Sequence, residues 1–340
     1  MKNRTIILWT YWIILLLLIP GRSQGQSQDQ PATEFKQLNA QGAFLNGEWN
    51  SPFSFSEEQD EVETDAHPAQ LSSQELSLRY MSSQTKWKDG HFILEAYEMN
   101  PLDKNIWEEV MEYYGIHGDD ASVKVMANKI QSNDLIPARI LEYHKLMVSL
   151  ADENSVILSH GEWDTAALQI AISQSTKKVN VLNVHWLREQ AYLDNGLMNV
   201  GVHSPAIKAK ASDMIKEMLQ KNGQVRFHIT LSQNKNLLSG LSDRLKLEGL
   251  SFRLSDDGQA ATRQIQCWKE LKAKQPFKDP AFNSEITYFE LNYLPILVSM
   301  ENYALTNGVK SDADWARKWM NELTKRAGME PLAPSKIKKN

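Results

Sequence analysis

The chain has 340 residues, 42% of them hydrophobic, with 37 basic and 42 acidic side chains and a formal charge of −5. That length and apolar content suffice for two cores of ordinary domain size. An acidic balance without a basic stripe excludes a nucleic-acid surface, and the single Cys267 excludes an intrachain disulfide.

Residues 1–25 read as an export signal. Lys2 and Arg4 form a basic start, residues 5–18 are apolar with Trp9, Tyr11 and Trp12, and Pro20-Gly21 breaks the run before small Ser23 and Gly25. The run is shorter than the roughly 20 residues of a membrane span, so cleavage before Gln26 is expected, with a retained anchor through residues 5–18 as the alternative. Either way the body of the chain is expected outside the cytoplasm, in the periplasm or extracellular. Cleavage removes the three charges of Lys2, Arg4 and Arg22 and takes the formal charge from −5 to −8. Residues 26–75 read as a disordered acidic linker, with Glu57, Glu58, Asp60, Glu61, Glu63 and Asp65 in one block. Phe53 and Phe55 beside it suit either a docking motif or a packed turn.

Residues 76–150 carry helical periodicity. Phe92, Ala96 and Tyr97 share one face, Pro101 interrupts, and Ile106, Trp107, Val110, Met111 and Tyr114 form a second apolar stripe before Gly118. Across residues 92–130 this order resembles a tetratricopeptide repeat, with departures at Val123 and Ala127. About one and a half copies are visible, fewer than the roughly three a free solenoid needs, so these helices are expected to lean on the rest of the protein.

Residues 151–258 alternate between strand and helix signals, predicting an α/β domain with a small, mostly parallel sheet and flanking helices. Val156-Ile157-Leu158 suits a buried strand that ends in His160, Gly161, Glu162 and Asp164, and a second run over 179–184, which contains Asn183, ends in His185-Trp186. If the two strands are parallel neighbours, their ends share the edge where open α/β sheets bind ligands. The candidate ligand-binding set is therefore His160, Gly161, Glu162, Asp164, Thr165, Asn183 and His185. The same turn also suits plain capping by Asp164 and Thr165, with Gly161 supplying a positive φ. Glu162 and Asp164 are a conceivable carboxylate pair for glycoside cleavage. Beyond them the pattern predicts a helix over 207–219 after Ser204-Pro205, a strand over 225–231, a helix over 237–247 closed by Gly249, and a strand over 250–254. His228 and Cys267 read as structural residues, and no phosphate loop, nucleophile elbow, metal site or cofactor signature stands out. A helical hairpin follows over 259–326, with Pro295 as a kink or helix start, and then a basic tail over 327–340.

The stretches SVILSHGEWDTAALQIAI, VNVLNVHWL, QVRFHITLS and LKLEGLSFRL together resemble the soluble C-terminal domain of bacterial membrane proteins of the protein O-mannosyltransferase type. The likeness covers residues 153–254. Gly161, Asp164 and Thr165 match that pattern, whereas His160, Glu162 and Trp163 stand where it has Asn, Asp and Asn. The membrane-embedded catalytic part has no counterpart here. The resemblance implies a detached module of the bacterial cell envelope without transferase activity. The expected function is an exported, non-catalytic interaction or scaffold protein, accessory to glycan transfer or envelope assembly, with an envelope protein, a peptide or a glycan as partner. The alternative is a carbohydrate-binding protein or carbohydrate-active enzyme that uses the polar sheet edge.

Overall fold

The computed structural model describes residues 71–83, 86–233, 235–254, 262–279 and 284–330. The expected export segment, Phe53, Phe55 and most of the linker and basic tail lie outside the described residues. Within the expected linker, Ser72 already caps the first helix, α1 (Ser73–Ser82). Its hydroxyl accepts from the Glu75 N–H, and the Glu75 carboxylate accepts from the Ser72 N–H in return.

Four more helices follow: α2 (Lys86–Met99), α3 (Trp107–Ile116), α4 (Asp120–Ser132) and α5 (Ala138–Leu150). Pro101 ends α2 and is held in place, because the buried Trp107 indole donates to its carbonyl at 3.3 Å. Lys129 of α4 lies 4.6 Å from the ring centroids of both Tyr97 and Trp107, joining α4 to α2 and α3 through cation–π contacts.

The chain is mixed α/β, built on a five-stranded sheet in the order β2-β1-β3-β5-β4. The strands are β1 (Ser155–Ser159), β2 (Val179–Asn183), β3 (Phe227–Thr230), β4 (Leu245–Glu248) and β5 (Ser251–Leu254). β1 pairs in parallel with both β2 and β3, and Ser159 stands level with Asn183. β5 runs antiparallel to both β3 and β4. This corrects the expected four-stranded, mostly parallel sheet. The predicted helix over 237–247 is instead a short helix, α8 (Lys235–Gly240), followed by β4. Gly249 closes no helix. With φ of 63° it makes the two-residue turn of a β4–β5 hairpin, in which Glu248 faces Ser251. The helix predicted over 207–219 forms as α7 (Ala211–Lys221), leaving Ser204-Pro205 in irregular chain.

Helix α6 (Gly161–Ser173) connects β1 to β2, and α4 and α5 pack on it. The remaining helices are α9 (Thr262–Lys274), α10 (Ser284–Glu290), α11 (Leu294–Thr306) and α12 (Lys310–Arg326). Pro295 sits in the first turn of α11, where its missing N–H costs nothing. Arg317 of α12 donates to Glu301 of α11 at 2.6 Å, and the Phe277 ring packs against Tyr293 and Trp319. Among the described residues, buried apolar side chains from Leu76 to Met329 form one continuous cluster. Among the described residues no helix is long and apolar enough to cross a membrane.

Candidate functional site

β1 is buried at every position, and the chain leaves it through His160 and Gly161 directly into α6. Gly161 takes φ of 69°, a conformation that lets the helix begin at once and that a side chain would strain. Helix α6 therefore starts earlier than the sequence suggests. Asp164 and Thr165 lie inside its first turns and are not at its cap.

Asp164, 8% exposed, is the hub of a buried network. Its Oδ1 lies 2.6 Å from Nε2 of His144 on α5. Its Oδ2 accepts from the His160 N–H at 2.8 Å, from the Thr230 hydroxyl at 2.8 Å and from the Ser232 hydroxyl at 3.2 Å. The other ring nitrogen of His144 faces the Ile140 carbonyl at 2.7 Å, so both ring nitrogens meet oxygen atoms. Burial opposes ionisation of Asp164, but the hydrogen bond and charge of His144, together with the donors from His160 and Thr230, hold its carboxyl below the usual carboxylate range. Thr165 is also internal: its hydroxyl donates to the Gly161 carbonyl and meets the Ser159 hydroxyl, each at 2.7 Å. Asn183 is buried too, and its Oδ1 accepts from the His185 N–H at 2.9 Å.

β2 and β3 flank β1 on opposite sides, so the connections diverge at the carboxyl ends of β1 and β3, the usual position of a ligand crevice in such sheets. A cavity of 1310 Å³ opens there, lined by residues that follow all three parallel strands. His160, Gly161, Glu162 and Asp164 come from the end of β1, His185 from the end of β2, and Ser232 and Asn236 from beyond β3. Of the seven expected site residues, Thr165 and Asn183 are absent from this lining. Lys210 and Ser212 at the start of α7 contribute to it, as do Ile140, His144 and Phe289.

His160 is 6% exposed, and its Nδ1 is buried without a hydrogen-bond partner. Its ring meets that of His185 edge to face at 4.5 Å. Burial, reinforced by His185, lowers its pKa to about 4, so the ring is neutral at pH 7. The Trp163 indole also lines the cavity, with a buried Nε1 that lacks a partner.

Glu162 accepts from the Trp186 indole at 3.1 Å. Trp186 in turn lies against α3 where Gly115 leaves room: a Cβ there would stand 2.1 Å from the indole ring. Helix α3 brings Glu108, Glu109 and Glu112 to the same region, and Lys86 of α2 donates to Glu112 at 2.8 Å. Burial and the neighbouring carboxylates raise Glu108 to about 9, and burial foremost raises Glu109 to about 7. Burial raises Glu162 as well.

Sequence reasoning missed His144, Thr230, Ser232 and the α3 glutamates. Two signals were present: His144 interrupts the apolar stripe of Ile140, Leu141, Met147 and Val148, and Glu108 and Glu112 are spaced to share a helix face.

The fold and site define an α/β protein with a polar cavity at a parallel-strand edge. No family model, curated protein or solved structure matches the chain.

Proposed function

We propose that the protein binds a small polar ligand of carbohydrate type in the cavity at the carboxyl ends of β1, β2 and β3. The observation that carries this reading is the 1310 Å³ cavity itself, on which His160, Glu162, Trp163 and Ser232 converge from the strand ends. Ligand pockets set a few convergent polar side chains on the wall of a concave site, and these residues do so. A sugar suits the other walls. Hydroxyls of Ser212 and Ser232 and carboxyl groups of Glu108 and Glu162 offer donors and acceptors, and Trp163 adds an aromatic side chain. The volume exceeds the roughly 300–1,000 Å³ of drug-sized pockets, leaving room for more than one sugar ring. The resemblance of residues 153–254 to a domain of glycosyl-transferring membrane proteins points to the same ligand class. Asp164 holds the wall in position, with His144, His160, Thr230 and Ser232 all on its oxygens.

Isothermal titration of the protein with mono- and disaccharides, amino sugars among them, tests the reading. His160→Ala and Trp163→Ala should each weaken binding about tenfold or more, equivalent to about 1.4 kcal/mol, with melting temperatures close to that of the unmodified protein. Failure of every saccharide to bind at millimolar concentration, or undiminished binding by His160→Ala, refutes it.

A second reading, an exported scaffold of the cell envelope with tetratricopeptide-like helices, draws support from α2 to α4. Leu102, 77% exposed, and Val125, 64% exposed, are apolar side chains in that helical region without cover. Crosslinking in intact cells through a photoreactive residue at position 125 tests it, and the absence of any specific adduct counts against it.

A further inference from the structure

Glu108, Glu109 and Glu112 of α3 and Glu162 of α6 interact electrostatically. Lys86 neutralises Glu112, and the Trp186 indole satisfies one oxygen of Glu162. Glu108 Oε1 and Glu109 Oε2 remain buried without a hydrogen-bond partner. The cluster carries more negative charge than Lys86 offsets, and without a ligand the excess is relieved by protons, as the raised values of Glu108 and Glu109 record. Glu108 and Glu162 line the cavity together with His160 and Trp163. A buried acceptor that holds a proton only for want of a cation is a binding group. Among the described residues, no group of three or more His, Cys, Asp or Glu side chains is arranged to hold a metal ion. An organic ammonium instead needs separate acceptors for its N–H groups and gains from an aromatic face.

We propose that the ligand of this cavity carries an ammonium group, which Glu108 and Glu162 accept while Trp163 offers its ring in the same chamber. This rests on the carbohydrate reading and narrows it to amino sugars. Binding exchanges a proton for the cation: the carboxylic acid of Glu108 releases its proton to solvent, and the carboxylate formed pairs with the ammonium, so charge balances.

Titration with D-glucosamine and with N-acetyl-D-glucosamine at pH 6.5, in two buffers of different ionisation heat, separates the possibilities. The amine should bind about tenfold tighter or better and release close to one proton per ligand, whereas the acetamide releases none. Glu108→Gln should abolish both the preference and the proton release. If that variant fails to fold, proton release by the unmodified protein decides. Equal affinity for the two sugars, or a preference that survives Glu108→Gln, overturns the ammonium site and leaves the carbohydrate reading standing. Failure of both sugars to bind removes the carbohydrate reading itself and the ammonium site with it.

Discussion

Replacing Asp164 by alanine removes the acceptor at the centre of the buried network and leaves the His144 ring without the carboxyl oxygen 2.6 Å away. Removing one partner of a buried ion pair costs about 3–5 kcal/mol. The His160 N–H and Thr230 hydroxyl lose their acceptor as well, each worth about 1–3 kcal/mol if it stays unsatisfied. These losses overlap, because water can enter from the cavity, so a net loss of about 4–5 kcal/mol is expected. At about 2–4 °C per kcal/mol for a chain of this size, the melting temperature should fall by roughly 10–15 °C. Urea unfolding followed by circular dichroism measures the loss. His144→Ala and the double variant complete a thermodynamic cycle, in which the double variant should lose about 2 kcal/mol less than the two single losses summed. A loss below about 1 kcal/mol for Asp164→Ala, or strict additivity in the cycle, would refute the buried pair and return Asp164 to the free ligand groups. The pH dependence has a definite sign. Asp164 has a depressed folded-state pKa, so its contribution is present above the unfolded value of about 4 and is lost as pH falls through the folded value.

Glu108 behaves oppositely. Its folded pKa is raised to about 9, so its contribution is present below the unfolded value of about 4.3 and is lost as pH rises toward 9. The unliganded protein should therefore be more stable at pH 6 than at pH 8, with a slope of at most about 1.4 kcal/mol per pH unit from this group, and Glu108→Gln should flatten the profile; an unchanged slope would show that Glu108 ionises normally. Gly249→Ala should cost about 1–2 kcal/mol in urea unfolding, because alanine is strained at φ of 63° and its Cβ would stand 3.2 Å from the Leu150 side chain. Cys267 is fully buried, and burial pushes its thiol up to about 12. Labelling by a thiol reagent should therefore track global unfolding, and rapid labelling under native conditions would contradict that placement.

Much of the strand-end site was legible because it is local. Val156 to Leu158 could only be a short buried strand, and the polar residues after it had to stand at its end. The hairpin of β4 and β5 was misread because Leu237, Leu238, Leu241, Leu245 and Leu247 also suit a helical spacing. Gly249 ends a helix as readily as it turns a hairpin, and the pairing of Leu247 with Phe252 decides between the two. Asp164 and Thr165 looked like caps because nothing in sequence shows that Gly161 starts the helix three residues earlier.

The sequence by itself determined which segments are helix or strand wherever an apolar period was unambiguous, and it placed His160, Glu162 and His185 at one sheet edge. Only the tertiary structure decided what those groups do. Asp164 is consumed by His144 from a helix 20 residues earlier and by Thr230 from a strand 66 residues later, while Glu162 meets three carboxylates on α3. Protonation and hydrogen bonding depend on distance and burial in space, and neither is carried by the local spacing of residues along the chain.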